Sequence, residues 1–400
     1  MLIPPLLVVS IFLADLSVCI IALAMIYLIF QKKLFFLINN KYFICFSIFC
    51  LYSIFRSLFS LDYLFSLKST LFYFRFGFLC IGIYYTLICF KKKFLKPFYL
   101  ILFTTFSIVI IDGYIQSFTG FNSIGYPIPQ KYRISGFFHT EMILGSYLAK
   151  LLPLVMTGLF FFKKNLKMFK YNFFLFVIFT LVMIVLSGER SATFQAIGLV
   201  ILFLFFTDIY GLKEKLLLAF SAVVIIFLLI STNERLESRY LDQTYKSIKT
   251  ETGLKIFTHD TQSHYFSAIK MFKDNPLFGQ GVKMFRKLCS KPEYNYDKNS
   301  CTTHPHNTYL EILAELGLVG FAFLFLLLCF IYKFFITAFL NKLTKVNYKI
   351  DNSKLILMSC FFINLWPLMP TGRFFNNWLS IVYYLPVGFY FFYLNSKKNE

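Results

Sequence analysis

Charged residues are scarce in this chain. They make up 15% of its 400 residues, whereas soluble domains carry about 25%. Acidic residues are scarcer still, because 19 Asp and Glu stand against 40 Lys and Arg and leave a formal net charge of +21. Hydrophobic residues reach 58%, including 56 Phe, and this balance excludes an ordinary water-soluble enzyme. The excess positive charge then has two explanations, which are loops flanking membrane spans and a basic surface for nucleic acid.

Long apolar runs favour the membrane explanation. A run of about 20 apolar residues can cross a bilayer as a helix, and the sequence predicts eleven such spans. They lie near residues 5–30, 42–58, 69–90, 97–115, 141–162, 171–188, 190–208, 216–232, 307–332, 355–370 and 374–394. Asp15 interrupts the first run, so a broken helix there would give twelve. That run begins with Pro4 and Pro5 and lacks a basic segment, so we expect a retained span rather than a cleaved signal peptide.

Lysine clusters fall in every second loop between these runs. Twenty Lys and no Arg lie there, and the positive-inside rule makes those loops cytoplasmic. No single basic face collects the charge, so we expect no nucleic-acid partner. The predicted fold class is an all-α integral membrane protein with 11–12 transmembrane helices and one large external helical loop. Its parts are N-terminal helices over 1–232, the external loop over 233–305 and C-terminal helices over 306–400.

Arginine and histidine are distributed in the opposite way. All eight Arg and all five His fall in external loops, within spans or at span ends. They are Arg56, Arg75, Arg133, Arg190, Arg235, Arg239, Arg286, Arg373, His139, His259, His264, His304 and His306. The guanidinium fork of Arg suits phosphate, and His is a common general base near neutral pH. The distribution therefore predicts chemistry on the outer face.

The external loop 233–305 is predicted to be folded. Residues 234–249 and 261–274 have helical periodicity, and Asn275-Pro276 ends the second helix. This amphipathic helix either lies on the membrane, caps a cavity or packs on the ends of the spans. Cys289 and Cys301 are the two Cys of the loop. We expect a disulfide between them, because two Cys that close a short loop outside the cytoplasm can pair.

Residues 301–320, C-T-T-H-P-H-N-T-Y-L-E-I-L-A-E-L-G-L-V-G, are the most informative segment. Asn307 or Thr308 can begin the helix that follows, which presents His306 at the mouth of a helix bundle. Gly317 and Gly320 recur on the stripe of His306 and permit a close helix–helix approach. An H-x-H pair can bind a metal, but no Cys or carboxylate lies beside it in sequence, so no metal site is expected.

Four segments carry motifs in a consistent order. His306-Asn307 is followed by nine residues and then by G-L-V-G at 317–320. R-I-S-G-F-F-H lies at 133–139, L-S-G-E-R-S-A at 186–192 and N-P-L-F-G-Q-G at 275–281. Together they resemble the O-antigen ligase and polymerase superfamily, which consists of multi-span membrane glycosyltransferases. One position departs from that family, because Thr261 stands where many relatives carry an Arg.

The resemblance implies a reaction at the periplasmic face of the bacterial inner membrane. The donor would be a glycan linked to undecaprenyl diphosphate, and the acceptor hydroxyl would belong to lipid A-core. The resemblance implies no cofactor, no metal and an inverting transfer, with membrane lipids around the protein. His306 would be the general base and Arg190 would bind the diphosphate. The other expected site residues are Arg133, Arg286, Arg239, His304 and Asn307 for substrate binding and Gly279, Gly281, Gly317 and Gly320 for structure.

Some assignments stay open at this point. Arg286 is the preferred second diphosphate-binding residue, with Arg239 and Arg235 as alternatives. Glu189 either pairs with its neighbour Arg190 or points outward. A second function, the polymerase, uses the same donor with another glycan repeat unit as acceptor. The external loop 113–140 is much shorter and less charged than 233–305, which favours the ligase.

Two further functions are weaker. A protein O-oligosaccharyltransferase is a related enzyme that would use the same donor. A glycolipid flippase or transporter would also have about twelve spans, but such proteins commonly show repeated halves and charged residues at mid-membrane. This chain has no evident internal repeat, and most of its charges lie at span ends.

Overall fold

The computed structural model describes residues 1–162, 166–250, 253–254, 257–344, 350–367 and 369–396. Six lysines of the predicted clusters lie outside these residues, namely Lys163, Lys164, Lys345, Lys349, Lys397 and Lys398. The described chain is almost entirely helical. Its α-helices are α1 Ile3–Val9, α2 Ile11–Gln31, α3 Lys41–Leu58, α4 Tyr63–Thr70, α5 Arg75–Phe90, α6 Lys92–Thr119, α7 Leu144–Phe161, α8 Leu166–Leu186, α9 Arg190–Phe206, α10 Leu212–Thr232, α11 Glu234–Glu237, α12 Gln243–Ile248, α13 His259–Asp274, α14 Phe285–Leu288, α15 Thr308–Leu343, α16 Asn352–Asn364 and α17 Asn377–Ser396.

Shorter elements complete the described chain. Single 3₁₀ turns form at Phe35–Leu37 and Gly136–Phe138, and a π-helical segment at Ser238–Asp242 joins α11 to α12. The described strands are two residues each, β1 Lys249–Thr250 and β2 Gly253–Leu254, paired antiparallel. The all-α integral membrane class is therefore confirmed.

Eight helical stretches of the described chain are long and apolar enough to cross a membrane. Helix α9 is also apolar but shorter, at 17 residues. Each of the eleven predicted spans contains a helix, including α16 and α17 near the C-terminus. The protein is a multi-pass membrane protein, as the apolar runs predict.

The first run is broken, but not at Asp15. The break lies at Ser10, whose φ of −163° and ψ of 122° end α1 and whose side chain caps α2. Asp15 lies inside α2 and forms an ion pair with Arg75 of α5 at 3.0 Å. At seven residues α1 is too short to span a bilayer, so it does not add a twelfth span.

The helices alternate between two ends of the bundle. We call the end that carries the described lysine-rich connections the lysine end. The opposite end, which carries the described part of the external loop, is the loop end. The connections 120–143 and 365–376 also lie at the loop end. There the indole of Trp378 donates to the carbonyl of Leu7 at 3.3 Å, and the rings of Tyr73 and Phe375 lie 5.0 Å apart. These contacts pack α1 and α5 against the start of α17.

Helix α15 is broken within the apolar run. Gly317 has φ 64° and ψ −164°, a conformation that L side chains rarely adopt. The backbone on both sides of it pairs with the segment 276–281 instead of continuing a helical ladder. Gln280 N donates to Ala314 O and Gly281 N to Glu315 O, each at 2.8 Å. Irregular backbone inside a membrane protein requires such internal partners.

The pairing continues beyond the break. Leu318 N donates to Pro276 O at 2.8 Å and Val319 N to Leu277 O at 3.2 Å. Arg56, at the end of α3, clamps the same segment through its Nε, which lies 3.0 Å from Phe278 O and 3.1 Å from Gly279 O. The motifs at 275–281 and 306–320 thus form one structural unit.

Candidate functional site

Three arginines surround the turn between α8 and α9. Arg190 begins α9, and its Nη1 donates to Thr244 Oγ1 at 2.8 Å. Arg239 projects from the π-helical segment, and its Nε donates to the carbonyl of Gly188 at 2.9 Å. Burial, and then the positive charges of Arg190 and Arg133, lower the pKa of Arg239. The three side chains are therefore close neighbours, and we call Arg133, Arg190 and Arg239 the arginine group.

Glu189 is the acidic residue beside this group. Its side chain is 6% exposed and accepts bonds from Gly145 N at 2.6 Å, Ser146 N at 3.1 Å and Ser146 Oγ at 2.6 Å. These donors form the N-terminus of α7, where the helix dipole favours a carboxylate. Its nearest cation is Arg133, with 3.9 Å between Oε2 and Nη2. Glu189 therefore neither pairs with Arg190 nor points outward, contrary to both expectations.

The arginine group carries more positive charge than its surroundings neutralise. Within the described chain, Arg190 and Arg239 form no ion pair. Arg133 Nη2 donates to the carbonyl of Met142 at 2.6 Å, and its buried Nε has no hydrogen-bond partner. Three guanidinium groups beside one carboxylate leave a net charge that an anion with several oxygens, such as a diphosphate, would compensate.

Three histidines lie together at the start of α15. The ring centroids of His304 and His306 are 4.1 Å apart, and those of His264 and His306 are 5.5 Å apart. His304 Nδ1 lies 2.8 Å from Thr303 Oγ1, and its Nε2 lies 3.3 Å from the carbonyl of Thr371. The chain thus holds His304 on both sides, and His304 in turn packs against His306.

Burial favours the neutral form of both histidines that precede α15. Burial, followed by the positive charge of His264, lowers the pKa of His306 below 6.5. Burial, followed by the charge of His306, lowers the pKa of His304 to about 3. A neutral imidazole can accept a proton. The backbone of His306 has φ 56°, and its carbonyl accepts from Thr371 N at 3.0 Å, which fixes the ring on the segment before α17.

Two buried carboxylates on α15 hold the surrounding segments. Glu311 accepts from Phe374 N at 3.0 and 3.2 Å, and Glu315 accepts from Lys283 N at 2.8 Å and Phe285 N at 3.3 Å. Both side chains are almost fully buried, at 0% and 1% exposed. Burying a carboxylate is costly unless it is hydrogen-bonded. These bonds therefore fix the segments 283–285 and 371–375 beside the histidines.

Asn307 is the N-cap of α15. Its Oδ1 accepts from Tyr309 N at 3.0 Å and Leu310 N at 3.1 Å, and its Nδ2 donates to the carbonyl of Pro367 at 2.7 Å. Asn is among the preferred N-cap residues because its side chain satisfies these free N–H groups. The hydrogen bonds of Asn307 thus connect the helix start to the segment before α17.

The motif glycines lie at backbone contacts. Gly279 and Gly317, with φ of 69° and 64°, face each other's segments, and Gly281, with φ 104°, lies against Ser60. Gly320 contacts Leu316 of its own helix. The expected close helix–helix approach at Gly317 and Gly320 is therefore corrected. The neighbour of Gly317 is the 276–281 segment, because the break in α15 exposes its backbone to that segment.

Cys289 and Cys301 are joined in the structure, with 2.20 Å between their sulfurs and 5.1 Å between their Cα atoms. The link holds α14, which carries Arg286, next to the chain that leads into His304. Arg286 Nε and Nη2 also donate to the carbonyl of Thr303 at 3.3 and 3.2 Å. The structure therefore groups Arg286 with the histidines and groups Arg239, instead of Arg286, with Arg190.

Sequence reasoning did not single out several residues of this region. Glu311 and Glu315 carried a signal, because two carboxylates four residues apart in an apolar span are costly and need partners. Lys283 lies in a loop with many other charges and carried none, and Arg373 was noted only as one of the eight arginines outside the lysine clusters. Among the described residues, no three His, Cys, Asp or Glu side chains are grouped as metal ligands would be.

The comparison with known families agrees with the motifs. Residues 173–325 match the family model described as O-Antigen ligase. That range contains the segments 186–192, 275–281 and 301–320, hence Arg190, the glycine contacts and His306. No curated protein matches the chain. The resemblance to the O-antigen ligase and polymerase superfamily is confirmed, and the match supports a glycosyltransferase-like activity on lipid-linked glycans in general.

Proposed function

We propose that this protein is an O-antigen ligase-type enzyme. It transfers a glycan from undecaprenyl diphosphate to a hydroxyl of lipid A-core, at the periplasmic face of the bacterial inner membrane. The arginine group carries the proposal, because three arginines converge at a turn and, among the described residues, Glu189 is the one carboxylate that forms an ion pair with them. Such a site suits the diphosphate of the donor. The lysine end of the bundle, which the positive-inside rule makes cytoplasmic, lies opposite.

The chemistry follows from these residues. The acceptor oxygen attacks the anomeric carbon from the face opposite the diphosphate. The new C–O bond forms while the bond to the diphosphate oxygen breaks, and the electron pair leaves with the diphosphate. The arginine group stabilises the charge that develops there. His306 accepts the acceptor's proton, for which its lowered pKa keeps it neutral. One displacement of this kind inverts the anomeric centre.

The other side chains act as supports in this mechanism. His304 packs against His306 and is itself held by Thr303 and Thr371, so it positions the base. Glu189 anchors the start of α7 beside Arg133. Asn307 fixes the first turn of α15 directly after the base. A base must lie within hydrogen-bond reach of the proton it takes, and these contacts restrict where His306 can be.

A polymerase of the same superfamily is the second candidate function. It would use the same donor and base but would transfer to another lipid-linked glycan, so it would bind two anionic lipid carriers. A second set of cations, formed by Lys283, Arg286 and Arg373, favours this alternative, because a second anionic carrier needs cations of its own. The three are neighbours, since burial and then the positive charges of Arg373 and Arg286 lower the pKa of Lys283. The short connection 120–143 favours the ligase.

Purified protein in lipid vesicles would test the proposal. The donor is an undecaprenyl-diphosphate-linked glycan, and lipid A-core or a second lipid-linked glycan is offered as acceptor. We expect glycan on lipid A-core and an equal amount of released undecaprenyl diphosphate. Elongation confined to the lipid-linked glycan would identify a polymerase. Absence of transfer to either acceptor would refute both functions.

Deleting the protein's gene in cells distinguishes the ligase from the polymerase independently. Loss of a ligase leaves long glycan chains on the polyprenyl carrier and unmodified lipid A-core. Loss of a polymerase leaves lipid A-core that bears a single repeat unit. Gel electrophoresis of lipopolysaccharide separates these results, and the ligase proposal requires the first of them.

A further inference from the structure

A second set of cations lies next to the histidines. Lys283 follows the 276–281 segment, Arg286 lies in α14, and Arg373 precedes α17. Burial, and then the positive charges of Arg373 and Arg286, lower the pKa of Lys283 to about 8. Burial, and then the charge of Arg286, lower the pKa of Arg373. Two segments distant in sequence, 283–286 and the chain before α17, thus bring like charges together, and we call these three residues the cation trio.

Two members of the trio lie over one aromatic ring, and the trio lacks direct counterions. Lys283 Nζ and Arg286 Cζ lie 5.2 and 5.9 Å from the ring centroid of Phe65. Lys287 Nζ lies 4.9 Å from the same ring, but it also pairs with Asp62 at 3.3 Å. In the described part of the chain, no member of the trio forms an ion pair. Lys287 therefore differs from the trio in already having its carboxylate.

The buried carboxylates beneath the trio bind backbone rather than side chains. Glu311 takes the N–H of Phe374, next to Arg373, and Glu315 takes those of Lys283 and Phe285. They place negative charge beside the trio, and the hydrogen bonds that they accept come from backbone N–H groups. Arg373 Nε is buried and has no hydrogen-bond partner. A buried donor without a partner is costly, and an oxyanion would satisfy it.

The trio is adjacent to the proposed base. Arg286 holds the carbonyl of Thr303, the residue before His304. Arg373 follows two residues after Thr371, whose N–H donates to the carbonyl of His306. In the proposed function His306 takes a proton from the acceptor, so the acceptor approaches on this side. The arginine group, with different neighbours, serves the donor.

We propose that Lys283, Arg286 and Arg373 form a second oxyanion site, which binds a phosphate group of the acceptor during transfer. The inference rests on the proposed glycan transfer. Two sources supply this chemistry, namely a phosphorylated sugar of lipid A-core and the diphosphate of a second lipid-linked glycan. Guanidinium and ammonium groups bind either through charge-assisted hydrogen bonds.

Lys283→Met tests the site with little change of shape. Methionine keeps the unbranched stem and removes only the charge, and the backbone φ of 64° is one that both residues adopt with equal difficulty. The matched control is Lys287→Met, which removes a charge over the same ring but leaves the trio intact. Thermal melting in detergent checks that each variant is folded, and Arg373→Gln serves as a second variant.

The assay compares three acceptors in vesicles with one undecaprenyl-diphosphate-linked donor. They are lipid A-core, the same lipid A-core after phosphatase treatment, and a second undecaprenyl-diphosphate-linked glycan. We expect Lys283→Met to raise the KM for a phosphorylated acceptor on the order of tenfold, since a charge-assisted hydrogen bond contributes about that factor. The KM for the donor is unchanged, and Lys287→Met behaves as wild type.

The outcomes separate the inference from the proposed function. If Lys283→Met raises the KM only for phosphorylated lipid A-core, the core phosphate is the ligand. If it raises the KM only for the second lipid-linked glycan, the diphosphate is the ligand. The site is overturned if wild type and Lys283→Met have the same KM for each of the three acceptors. A rise confined to the donor KM also overturns it.

Failure of the proposed function has a different signature. Wild-type protein would then transfer glycan to none of the three acceptors. Equilibrium binding of lipid A-core, before and after phosphatase treatment, still examines the site in that case. The site is supported if wild type binds the phosphorylated core more tightly and Lys283→Met does not. It is refuted if wild type and variant bind both core forms equally.

Discussion

Gly279 lies so close to Glu315 that a Cβ built on it would stand 2.5 Å from the Glu315 carbonyl carbon. It would stand equally close to the nitrogen of Leu316. Real Cβ atoms do not approach backbone to this distance, so the contact requires glycine. The same contact exists from the other side, where Gly317 faces Leu277. Each motif therefore has a glycine at the point where the backbone of the other motif leaves no room for a side chain.

Gly279→Ala is expected to destabilise the fold more than its backbone conformation alone would. The positive φ costs about 1–2 kcal/mol for a residue with a Cβ, and overpacking adds about 1–3 kcal/mol. Gly120→Ala is the matched control, because Gly120 has φ 83° with nothing within 4 Å of its added Cβ. Thermal melting in detergent measures both. Equal losses in the two variants would contradict the close contact.

Arg239→Gln is expected to raise the KM for the donor by about tenfold to a hundredfold. The change removes a charge from the arginine group, and hydrogen bonds to charged groups contribute about 1.5–3 kcal/mol each. Arg235→Gln is the control, since Arg235 lies on α11 and its Nη2 donates to Ser117 Oγ at 3.3 Å. Steady-state kinetics with varied donor give both values. A similar rise in the control would argue for a structural effect instead of diphosphate binding.

The transfer rate is expected to fall in acid with a midpoint below pH 6.5. His306 must be neutral to accept a proton, and its pKa in the folded protein lies below the ordinary value because of burial and the charge of His264. The neutral base therefore persists as the pH falls, until the pH passes that lowered pKa. A pH profile of kcat/KM measures the midpoint. A midpoint above 6.5 would be inconsistent with His306 as the base.

His306→Ala is expected to abolish transfer while donor binding is retained. Loss of a general base commonly costs a factor of about 10²–10⁴ in rate. His259→Ala is the control, because His259 is exposed and lies 3.8 Å from Asp297, away from the histidine pair. Transfer assays and binding of the lipid-linked donor are measured on the same preparations. Normal transfer by His306→Ala would disprove the assigned role.

Cys289→Ser and Cys301→Ser are each expected to lower stability by about 3 kcal/mol, the loop-entropy value for a link of this length. The double variant should lose no more than either single one, since both remove the same bond. Cys329→Ser, at an exposed free cysteine of α15, should melt like wild type. Melting curves provide the comparison, and additive losses in the double variant would show that the two thiols act separately.

Local signals predicted the helices well. Apolar runs predicted a helix at each expected span, and Asn275-Pro276 marked the end of α13. Asn307 begins α15 because its side chain caps the first N–H groups, as its residue type indicates. These features depend on a few neighbouring residues, so one sequence is enough to predict them.

Contacts between residues distant in sequence were harder to predict. The break at Gly317 is stabilised by hydrogen bonds to residues about 40 positions earlier, whereas the apolar run 307–332 predicted a continuous helix with Gly317 at a helix–helix contact. The partnership of Arg239 with Arg190, in place of Arg286, likewise depends on how the π-helical segment folds onto the turn at Gly188. Motif order predicted candidate site residues, and only three-dimensional packing divided the cations into two sets.

The candidate site combines the start of α15 with the connection before α17, and this has a consequence for biosynthesis. Glu311 and the carbonyl of His306 obtain their hydrogen-bond donors from Phe374 and Thr371, more than 60 residues later in the chain. These donors are fixed only when α17 is in place. A nascent chain that has inserted every helix except α17 therefore still has an unsupported base. In the proposed mechanism, transfer would therefore require α17 in place as well as α15.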